Sequence, residues 1–397
     1  MLIQALASAF LLVALAACLY YWFLAVVGLR IPHPVPETGR SAGHRFAILI
    51  PAHNEEAGLA QALNSCSQLD YPPEKYCVYV IADNCTDRTA AIARAQGAIC
   101  LERHDPERPG KGQALAWALE LVLPEGPDAV VILDADCCLD VQALRAFDRR
   151  LAAGEQVLQA KYVASNPDAS LVSYVAGVGN LVENDLFYAP KSQLGLAVLL
   201  RGTGMVFHRE VLECCPWQAN SIVEDAEHTL QLTAAGIRVH FVPEARVLSD
   251  FPVQRRQLLV QRSRWIGGTF RLCCQRALPW MVQGALRNDW VRFDLGWTLL
   301  AAARSMVLLQ LLLTVLLGGL SVWLAPGRVS WIILGLGCGL VGLQGLYFAL
   351  GALLLGLKKS RLRLLVGSPG IIAELLWIAC RSVLSGWRKA GWERTPR

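Results

Sequence analysis

A stretch of 28 residues without a charged side chain, Leu2–Leu29, most constrains the fold of this chain. About 20 apolar residues suffice for a helix to cross the hydrocarbon core of a bilayer. The alternative is a cleaved leader with a lipoprotein-type processing box at Leu15–Cys18, but no Lys or Arg precedes the run and it continues past Cys18. We therefore expect a retained transmembrane helix at residues 1–30, and Arg30 at its end indicates that the next domain is cytosolic.

Two further apolar runs, Leu295–Leu324 and Val329–Leu357, predict two more transmembrane helices within residues 295–357. The composition agrees, because 54% hydrophobic and 17% charged residues are too apolar for an ordinary soluble protein. The sequence therefore predicts an integral protein of a cell inner or plasma membrane. Much of the basic excess lies beside the apolar runs, which favours membrane lipids over nucleic acid as partners. The sequence points to no particular protein partner.

Residues 44–250 differ in character, because short apolar runs alternate there with segments of helical length. The first strands are expected at Phe46–Ile50, Cys77–Ala82, Ala98–Leu101 and Ala129–Leu133, with helices at Glu55–Ser65, Asp87–Gln96 and Lys111–Leu123. Further strands are expected at Gln156–Ala164, Ala197–His208 and Arg238–Leu248, with helices around residues 170–189 and 225–235. This alternation is typical of βαβ units. It predicts one compact α/β domain with a mixed sheet at residues 44–250.

The remaining segments combine apolar and basic residues. In residues 251–294, arginines alternate with apolar side chains, which is typical of amphipathic helices in the membrane interface. A basic cluster, Lys358–Arg363, follows the last predicted span and should be cytosolic. Within residues 358–397, Gly370–Leu384 is apolar but short and carries two charged residues. We expect it to be interfacial or re-entrant with a cytosolic tail, because a span would place the basic tail outside.

Two carboxylates, Asp134 and Asp136, follow directly on the apolar run Val130–Leu133. Charges at the tip of a buried strand are costly unless they meet a cation or face a cleft. Ligands of open α/β sheets bind at the carboxyl ends of the strands. Two carboxylates at such a place suit Mg²⁺ or Mn²⁺ holding a diphosphate. The alternative is an Asp-rich turn without a ligand.

Polar residues also lie at the ends of other strands in the predicted sheet. The first strand runs into a polar stretch that contains Glu55, the second ends at Asp83, and Lys111 opens the helix before the fourth. Several polar strand ends at one edge indicate a binding crevice. Asp83 could accept a hydrogen bond from a base or ribose, and Lys111 could neutralise phosphate. We interpret the neighbouring His53 and Asn54 as turn or capping residues.

Two later clusters each have a structural and a chemical interpretation. Glu224 and Asp225 precede a predicted helix, where acids favour the first turn, but a carboxylate there could also be a general base that deprotonates a hydroxyl. Gln261, Arg264 and Trp265 occupy neighbouring positions of the amphipathic segment. They either belong to an interface helix or provide an arginine for a diphosphate and a tryptophan platform for a sugar ring.

The motifs become more informative through their order along the chain, which is Pro-Ala-His-Asn-Glu, Ala-Asp-Asn-Cys-Thr-Asp, Lys-Gly, Asp-Ala-Asp, Arg-Gly-Thr-Gly, Glu-Asp and Gln-Arg-Ser-Arg-Trp. In this set the chain resembles the membrane-embedded family 2 glycosyltransferases. That group contains cellulose, hyaluronan, chitin and poly-N-acetylglucosamine synthases and ceramide glucosyltransferase. The resemblance covers residues 1–397. Most motifs are weak individually, but the ordered set with Gln-x-x-Arg-Trp on a membrane-proximal helix is specific.

The resemblance implies a GT-A fold, which is a Rossmann-like mixed sheet, and an inverting, metal-dependent hexosyl transfer from a UDP-sugar. It implies that Glu55, Asp83 and Lys111 line the nucleotide pocket and that Asp134 and Asp136 form the metal and diphosphate site. It further implies that Gly202, Thr203 and Gly204 border the acceptor and that Asp225, next to Glu224, is the catalytic base. Gln261, Arg264 and Trp265 correspond to the diphosphate and acceptor-sugar motif.

The acceptor stays open between a growing polysaccharide and a single lipid. Val223 stands where the synthases commonly have Thr before Glu-Asp, and the predicted spans are few for a translocating channel. These departures weaken the case for polymer synthesis, whereas Gln-x-x-Arg-Trp favours it. A non-catalytic membrane scaffold is the alternative class of function, and the intact set of acids argues against it. A nucleotide-sugar transporter is disfavoured by the few spans and the large soluble domain.

Overall fold

The computed structural model describes residues 2–30, 43–218, 223–301 and 304–385. The chain forms two compact units. The sheet unit comprises His33–Ser165 and Lys191–Asp250, and the helical unit comprises Met1–Pro32, Asn166–Pro190 and Phe251–Arg397. The α/β domain predicted at residues 44–250 is therefore interrupted, because residues 166–190 belong to the helical unit.

The described residues form one mixed sheet of eight strands in the sheet unit. The strands are β1 (Phe46–Ala52), β2 (Tyr76–Asp83), β3 (Ile99–Arg103), β4 (Ala129–Ile132), β5 (Cys137–Leu139), β6 (Val157–Ala164), β7 (Met205–His208) and β8 (Val239–Ser249). Their order is β3-β2-β1-β4-β7-β6-β8-β5. Strands β1 to β4 are parallel, β7 is antiparallel to β4 and β6, β8 is parallel to β6, and β5 is antiparallel to β8.

Fourteen α-helices lie within the described ranges. They are α1 (Leu2–Arg30), α2 (Leu59–Ser67), α3 (Thr89–Ala95), α4 (Lys111–Val122), α5 (Ala143–Ala152), α6 (Leu171–Glu183), α7 (Ala189–Gln193), α8 (Arg209–Cys214), α9 (Glu224–Ala234), α10 (Arg255–Arg287), α11 (Trp290–Ala301), α12 (Arg304–Leu324), α13 (Arg328–Leu355) and α14 (Lys359–Ser385). A π-helical turn, Asn184–Tyr188, follows α6.

The parallel half of the sheet forms from the apolar runs that the sequence predicts. Ile48 and Leu49 of β1 and Val130 and Val131 of β4 are fully enclosed. Parallel strands are normally covered on both faces and therefore consist of continuous apolar residues rather than alternating ones. The strands predicted in this half are confirmed as β1 to β4, with ends shifted by a few residues. Their parallel arrangement brings four carboxyl ends to the same edge of the sheet.

The strand predicted at Ala197–His208 is wrong over most of its length. Only Met205–His208 pairs in the sheet, as β7, and the residues before it run irregularly. Ala197 and its apolar neighbours are buried although they do not pair as a strand of the sheet. The apolar run is therefore explained by burial alone. Gly202 and Gly204 have φ angles of +79° and +65°, and this left-handed backbone interrupts an extended strand.

The helical unit contains, among the described residues, four helices long and apolar enough to cross a membrane: α1, α12, α13 and α14. Helices α11 and α12 cover the predicted span Leu295–Leu324 apart from residues 302 and 303, which lie outside the described residues. Helix α14 begins at Lys359 and has 27 residues, so Gly370–Leu384 is part of a longer helix than the sequence suggested. Its interfacial or re-entrant placement stays a prediction, and the tail after Ser385 lies outside the described residues.

The amphipathic segment at residues 251–294 folds mainly into α10, a helix of 33 residues, and the start of α11. Asn288 takes a left-handed φ of +54° and ends α10, so that the chain turns into α11. Two glycines allow the two backbones to approach. A methyl group on Gly284 would lie 2.7 Å from Phe293 Cα, and one on Gly296 would lie 2.8 Å from the carbonyl oxygen of Ala277.

Replacing Gly284 or Gly296 by Ala should lower the stability of the helical unit by about 1–3 kcal/mol, because the added methyl group collides with backbone atoms that cannot rotate away. Gly267→Ala is the matched control, since nothing lies within 4 Å of a methyl group there and alanine favours a helix. Thermal unfolding in detergent measures all three variants. Equal melting temperatures for Gly284→Ala and Gly267→Ala would contradict the close packing of α10 on α11.

Candidate active site

The carboxylates of Asp134 and Asp136 lie in a tight turn between β4 and β5. The amide of Cys137 donates to the Asp134 carbonyl oxygen at 3.0 Å, and the amide of Asp134 donates to the Thr203 hydroxyl at 3.1 Å. Asp134 is half-buried and Asp136 is exposed. Strand β5 was not predicted, because a three-residue strand directly after the acids has no periodicity to detect. The turn presents both carboxylates at the carboxyl edge of the parallel half of the sheet.

The donor set of this turn fits a hard divalent cation. One carboxylate oxygen each from Asp134 and Asp136 and the Sγ atom of Cys137 lie within 4.8 Å of one another. Burial raises the pKa of the Cys137 thiol well above its usual range, and the two acids raise it further. The sulfur therefore stays protonated at neutral pH, and the two carboxylates remain as ligands. Oxygen ligands of this kind suit Mg²⁺ or Mn²⁺.

Lys111 is the cation of the site. Its ammonium group forms an ion pair with Asp134 and donates to the carbonyl oxygen of Gly202 at 2.7 Å. Burial opposes the charge of Lys111, but the nearby carboxylates of Asp134, Glu224 and Asp225 outweigh it and raise the pKa of the ammonium group. Lys111 is the first residue of α4, so the helix that follows β3 delivers this charge to the edge of β4.

Glu224 and Asp225 form the first turn of α9 and face the same place. A methyl group built on Gly202 would lie 3.5 Å from Asp225 Oδ2 and 3.5 Å from Lys111 Nζ, so both side chains border the bare backbone of Gly202. Asp225 Oδ1 accepts from the amide of Ala226 at 2.8 Å within the first turn of α9, whereas Val223 is the N-cap residue and no side chain caps this helix. The other oxygen of Asp225 points towards the site. Asp225 therefore lies in the first turn of the helix, as expected, but does not cap it, and its chemical role stays a prediction.

The environment shifts both acids towards the protonated form. Burial is the main cause that raises the pKa of Glu224, and the neighbouring Asp225 raises it further. Burial likewise raises the pKa of Asp225, whereas the hydrogen bond from Ala226 and the charge of Lys111 lower it. A carboxylate whose pKa lies nearer neutrality is a stronger base than an exposed one and is a common feature of catalytic sites.

Asp83 ends β2, and both oxygens of its carboxylate already accept hydrogen bonds from other residues of the chain. Arg103 Nη1 donates to Asp83 Oδ1 at 2.6 Å within a buried ion pair, and the amide of Gly110 reaches Asp83 Oδ2 at 3.4 Å. Arg103 Nη2 also pairs with Asp105. The sequence interpretation missed Arg103, although it ends β3 directly beside Asp83 in the sheet register. The contact with a base or ribose stays a prediction for Asp83.

The turn after β1 holds Glu55 and explains why α2 begins later than predicted. Asn54 adopts a left-handed φ of +54°, and its side-chain oxygen accepts from the amide of Thr86 at 2.8 Å. His53 Nδ1 lies 2.7 Å from the Asp83 carbonyl oxygen. The amide of Glu55 donates to the Thr89 hydroxyl at 2.8 Å. His53 and Asn54 are therefore turn residues, as expected, and helix α2 begins only at Leu59.

Gln261, Arg264 and Trp265 lie on α10 of the helical unit. The guanidinium of Arg262 lies 5.0 Å from the centre of the Trp265 ring, and the Trp265 side chain is exposed. The side chain of Arg264 lies outside the described part of the structure. Among the predicted site residues, the sheet unit thus brings Lys111, Asp134, Gly202, Glu224 and Asp225 together, and the role of the α10 motif stays a prediction.

A family model described as "Glycosyltransferase like family 2" matches residues 44–268. Among curated proteins, the chain is 28% identical over 239 residues to a beta-monoglucosyldiacylglycerol synthase of Nostoc sp., covering 57% of this chain and 49% of that protein. It is 24% identical over 235 residues to the probable glycosyltransferase YdaM of Bacillus subtilis, covering 56% of this chain and 55% of that protein. The chain thus spans about half the length of these two relatives.

Two further matches are longer. The chain is 26% identical over 300 residues to an N-acetylglucosaminyltransferase of Sinorhizobium fredii, covering 70% of each protein. Among solved structures, the mannosyltransferase PcManGT of Pyrobaculum calidifontis, in complex with GDP-Man and Mn²⁺, superposes with a TM-score of 0.63 at 19% identity. This match covers 98% of this chain and 100% of that chain, and it shows a shared fold.

Glu224→Gln should stabilise the sheet unit at alkaline pH. Burial raises the pKa of Glu224 in the folded protein, so wild-type stability is greatest below the unfolded-state pKa and falls as the pH rises through the raised value. The variant has no proton to lose there. Thermal unfolding with a chelator at pH 5 and pH 8 should show a stability gain that is larger at pH 8. Glu227→Gln on the same helix is the control, and a pH-independent gain would contradict the explanation.

Proposed function

This chain belongs to the family 2 glycosyltransferases, and on that premise we propose that it transfers a hexose from a nucleotide sugar to a hydroxyl group of a membrane lipid. The family and the GT-A-like fold agree with the expectation from the sequence. The observation that carries the proposal is the convergence of Lys111, the Asp134–Asp136 turn and Asp225 around Gly202. This convergence joins a cation, two carboxylates proposed as metal ligands and a third carboxylate proposed as the base.

The proposed reaction is a single displacement. Asp225 accepts the proton of the acceptor hydroxyl, whose oxygen attacks the anomeric carbon of the sugar while the bond to the diphosphate breaks. Attack opposite to the leaving group inverts the anomeric centre. Lys111 stabilises the negative charge that develops on the departing diphosphate. Asp134 and Asp136 would hold Mg²⁺ or Mn²⁺, which when bound screens the same diphosphate charge.

The proposed donor is a UDP-sugar bound by Glu55, Asp83 and Lys111. The support is the resemblance to UDP-sugar-using synthases and the place of these residues at the ends of β1 and β2 and the start of α4. The diphosphate would lie beside Lys111, and Arg264 of α10 is proposed as a second cation for it. GDP-linked sugars are the alternative donors, because the structure that shares the fold was solved with GDP-Man and Mn²⁺.

A lipid acceptor is favoured over a polysaccharide by the similarity to glucosyldiacylglycerol synthases of three cyanobacterial strains. Gly202, Thr203 and Gly204 are proposed to border the acceptor. The second candidate is polysaccharide synthesis, which the motif of Gln261, Arg264 and Trp265 supports. In that case Gln261 and Trp265 would contact the acceptor sugar.

The proposed location is an inner or plasma membrane, with the sheet unit in the cytosol. Four helices among the described residues could cross a bilayer by length and composition. Arg30 is the last residue of α1, and Lys358 and Lys359 follow α13. Basic residues next to spans are enriched on the cytosolic side, where nucleotide sugars would reach the crevice.

Membranes that contain the chain should transfer label from UDP-glucose, UDP-galactose, UDP-N-acetylglucosamine or GDP-mannose in the presence of Mn²⁺, and a chelator should abolish the transfer. Label in one lipid product, separated by thin-layer chromatography, supports the proposed function. Label in a polymer favours the second candidate. If no donor yields product above membranes that lack the chain, the transferase proposal is wrong.

Asp225→Asn should lower the transfer rate by about 10²–10⁴-fold, because the amide cannot accept the proton of the hydroxyl. Binding of UDP, measured calorimetrically with Mn²⁺, should stay close to that of the wild type. The wild-type rate should also fall as the pH drops through the raised pKa of Asp225, because only the ionised form is a base. Glu227→Gln on the same helix should retain activity. Full activity of Asp225→Asn would remove Asp225 from the base role.

A further inference from the structure

The segment Arg201–Gly204 supplies the backbone against which the site is built, yet it is irregular. The amide of Gly204 donates to the Ile132 carbonyl oxygen at 2.8 Å, and the Gly204 carbonyl oxygen accepts from the amide of Ala160 at 2.8 Å. These two bonds fix the end of the segment where it enters β7. They do not fix Gly202, whose carbonyl oxygen holds Lys111. Gly202 has no side chain and a left-handed φ, so its orientation needs a constraint from elsewhere.

A buried glutamine on β6 supplies this constraint. Gln159 is fully enclosed. Its Oε1 atom accepts from the amide of Arg201 at 2.8 Å, and its Nε2 atom donates to the Thr203 carbonyl oxygen at 2.9 Å. Nε2 also donates to the carbonyl oxygen of Ala160 at 3.0 Å, on its own strand. The carboxamide therefore binds the backbone on both sides of Gly202. These hydrogen bonds form a clamp, the Gln159 clamp, that anchors the segment to the sheet.

We propose that Gln159 is a positioning residue that orients the Gly202 carbonyl group and, through it, the ammonium group of Lys111 between Asp134 and Asp225. The proposal rests on the transferase function proposed above. Gln159 is out of reach of any substrate because it is fully enclosed. Gln159 acts on the site through two hydrogen bonds of the segment that it holds. The Gly202 carbonyl oxygen accepts from Lys111, and the Thr203 hydroxyl accepts from the amide of Asp134.

The chemistry of the carboxamide accounts for glutamine at this position. The segment presents one donor, the Arg201 amide, and one acceptor, the Thr203 carbonyl oxygen, and only a side chain with both functions satisfies the two at once. Methionine has nearly the same shape but leaves both groups buried without a partner. Glutamate retains the acceptor for Arg201 but sets an oxygen against the Thr203 carbonyl oxygen.

The first test is hydrogen exchange of the purified chain in detergent, comparing wild type, Gln159→Met and Val157→Ala. Val157 is buried on the same strand, so its truncation weakens the core without touching the clamp. In Gln159→Met, amides of the peptide that covers residues 199–205 should exchange about tenfold faster or more, because the acceptor of the Arg201 amide is gone. In Val157→Ala this peptide should exchange as in the wild type. Unchanged exchange in Gln159→Met would overturn the clamp.

The second test is a double-mutant cycle with Lys111→Met on sugar transfer. Gln159→Met should lower kcat by about tenfold or more with little change of the donor KM, because Lys111 acts on charge that develops as the diphosphate departs. In the Lys111→Met background, Gln159→Met should have no further effect. Additive effects, or an equal loss in Val157→Ala, would overturn the positioning role.

The outcomes separate the two proposals. A wild-type chain without transferase activity overturns the proposed function, and the positioning role falls with it, although the exchange data still report on the clamp. An active wild type with an equally active Gln159→Met variant overturns the positioning role alone. If Gln159→Met does not fold, Gln159→Glu replaces it, with the peptide at residues 199–205 and kcat as the same two measurements.

Discussion

The candidate site depends on one positive charge among several carboxylates. Asp134, Glu224 and Asp225 all act on Lys111 electrostatically, and Lys111 in turn opposes the rise in pKa that burial causes in Glu224 and Asp225. Acids gathered in a half-buried crevice without a cation would repel one another and take up protons. Lys111 thus favours the ionised form of these acids, which proton transfer and ion binding require. The other features of the site can be understood as means of holding this lysine in place.

The lysine is held by backbone as well as by a side chain, and this follows from the sheet topology. Strand β4 is the last of the parallel strands, and β7 beside it runs in the opposite direction. The chain must therefore turn into β7 at the same edge where β4 delivers its acids. Gly202 and Gly204 make this turn possible, and the bare backbone of Gly202 leaves room for Asp225 and Lys111 to border it. The change of strand direction and the location of the crevice have the same structural origin.

The sequence predicted the parallel strands, and it indicated acids that the structure gathers at the strand ends, because these signals are local. Apolar runs that end on Asp83 or Asp134 can be recognised without a partner strand. The contact of Arg103 with Asp83 was not predicted, because it depends on the register between β2 and β3, which the sequence does not reveal. Gln159 was visible as a polar residue within the apolar stretch Val157–Ala160, but its partners lie more than 40 positions later. The apolar run at Ala197 predicted a strand wrongly, because burial and strand pairing produce the same local pattern.

The interruption of the sheet unit by residues 166–190 also imposes an order of events during synthesis. Strands β7 and β8 leave the ribosome after α6, so the sheet is completed only after a segment that is not part of it has been made. The helices α13 and α14, against which α6 packs, are made last. At roughly 5–20 residues per second, α6 waits on the order of ten seconds for them. During that interval α6 lacks the two helices that cover its apolar face, and a fragment of residues 33–250 would carry the same unmatched helix in its middle.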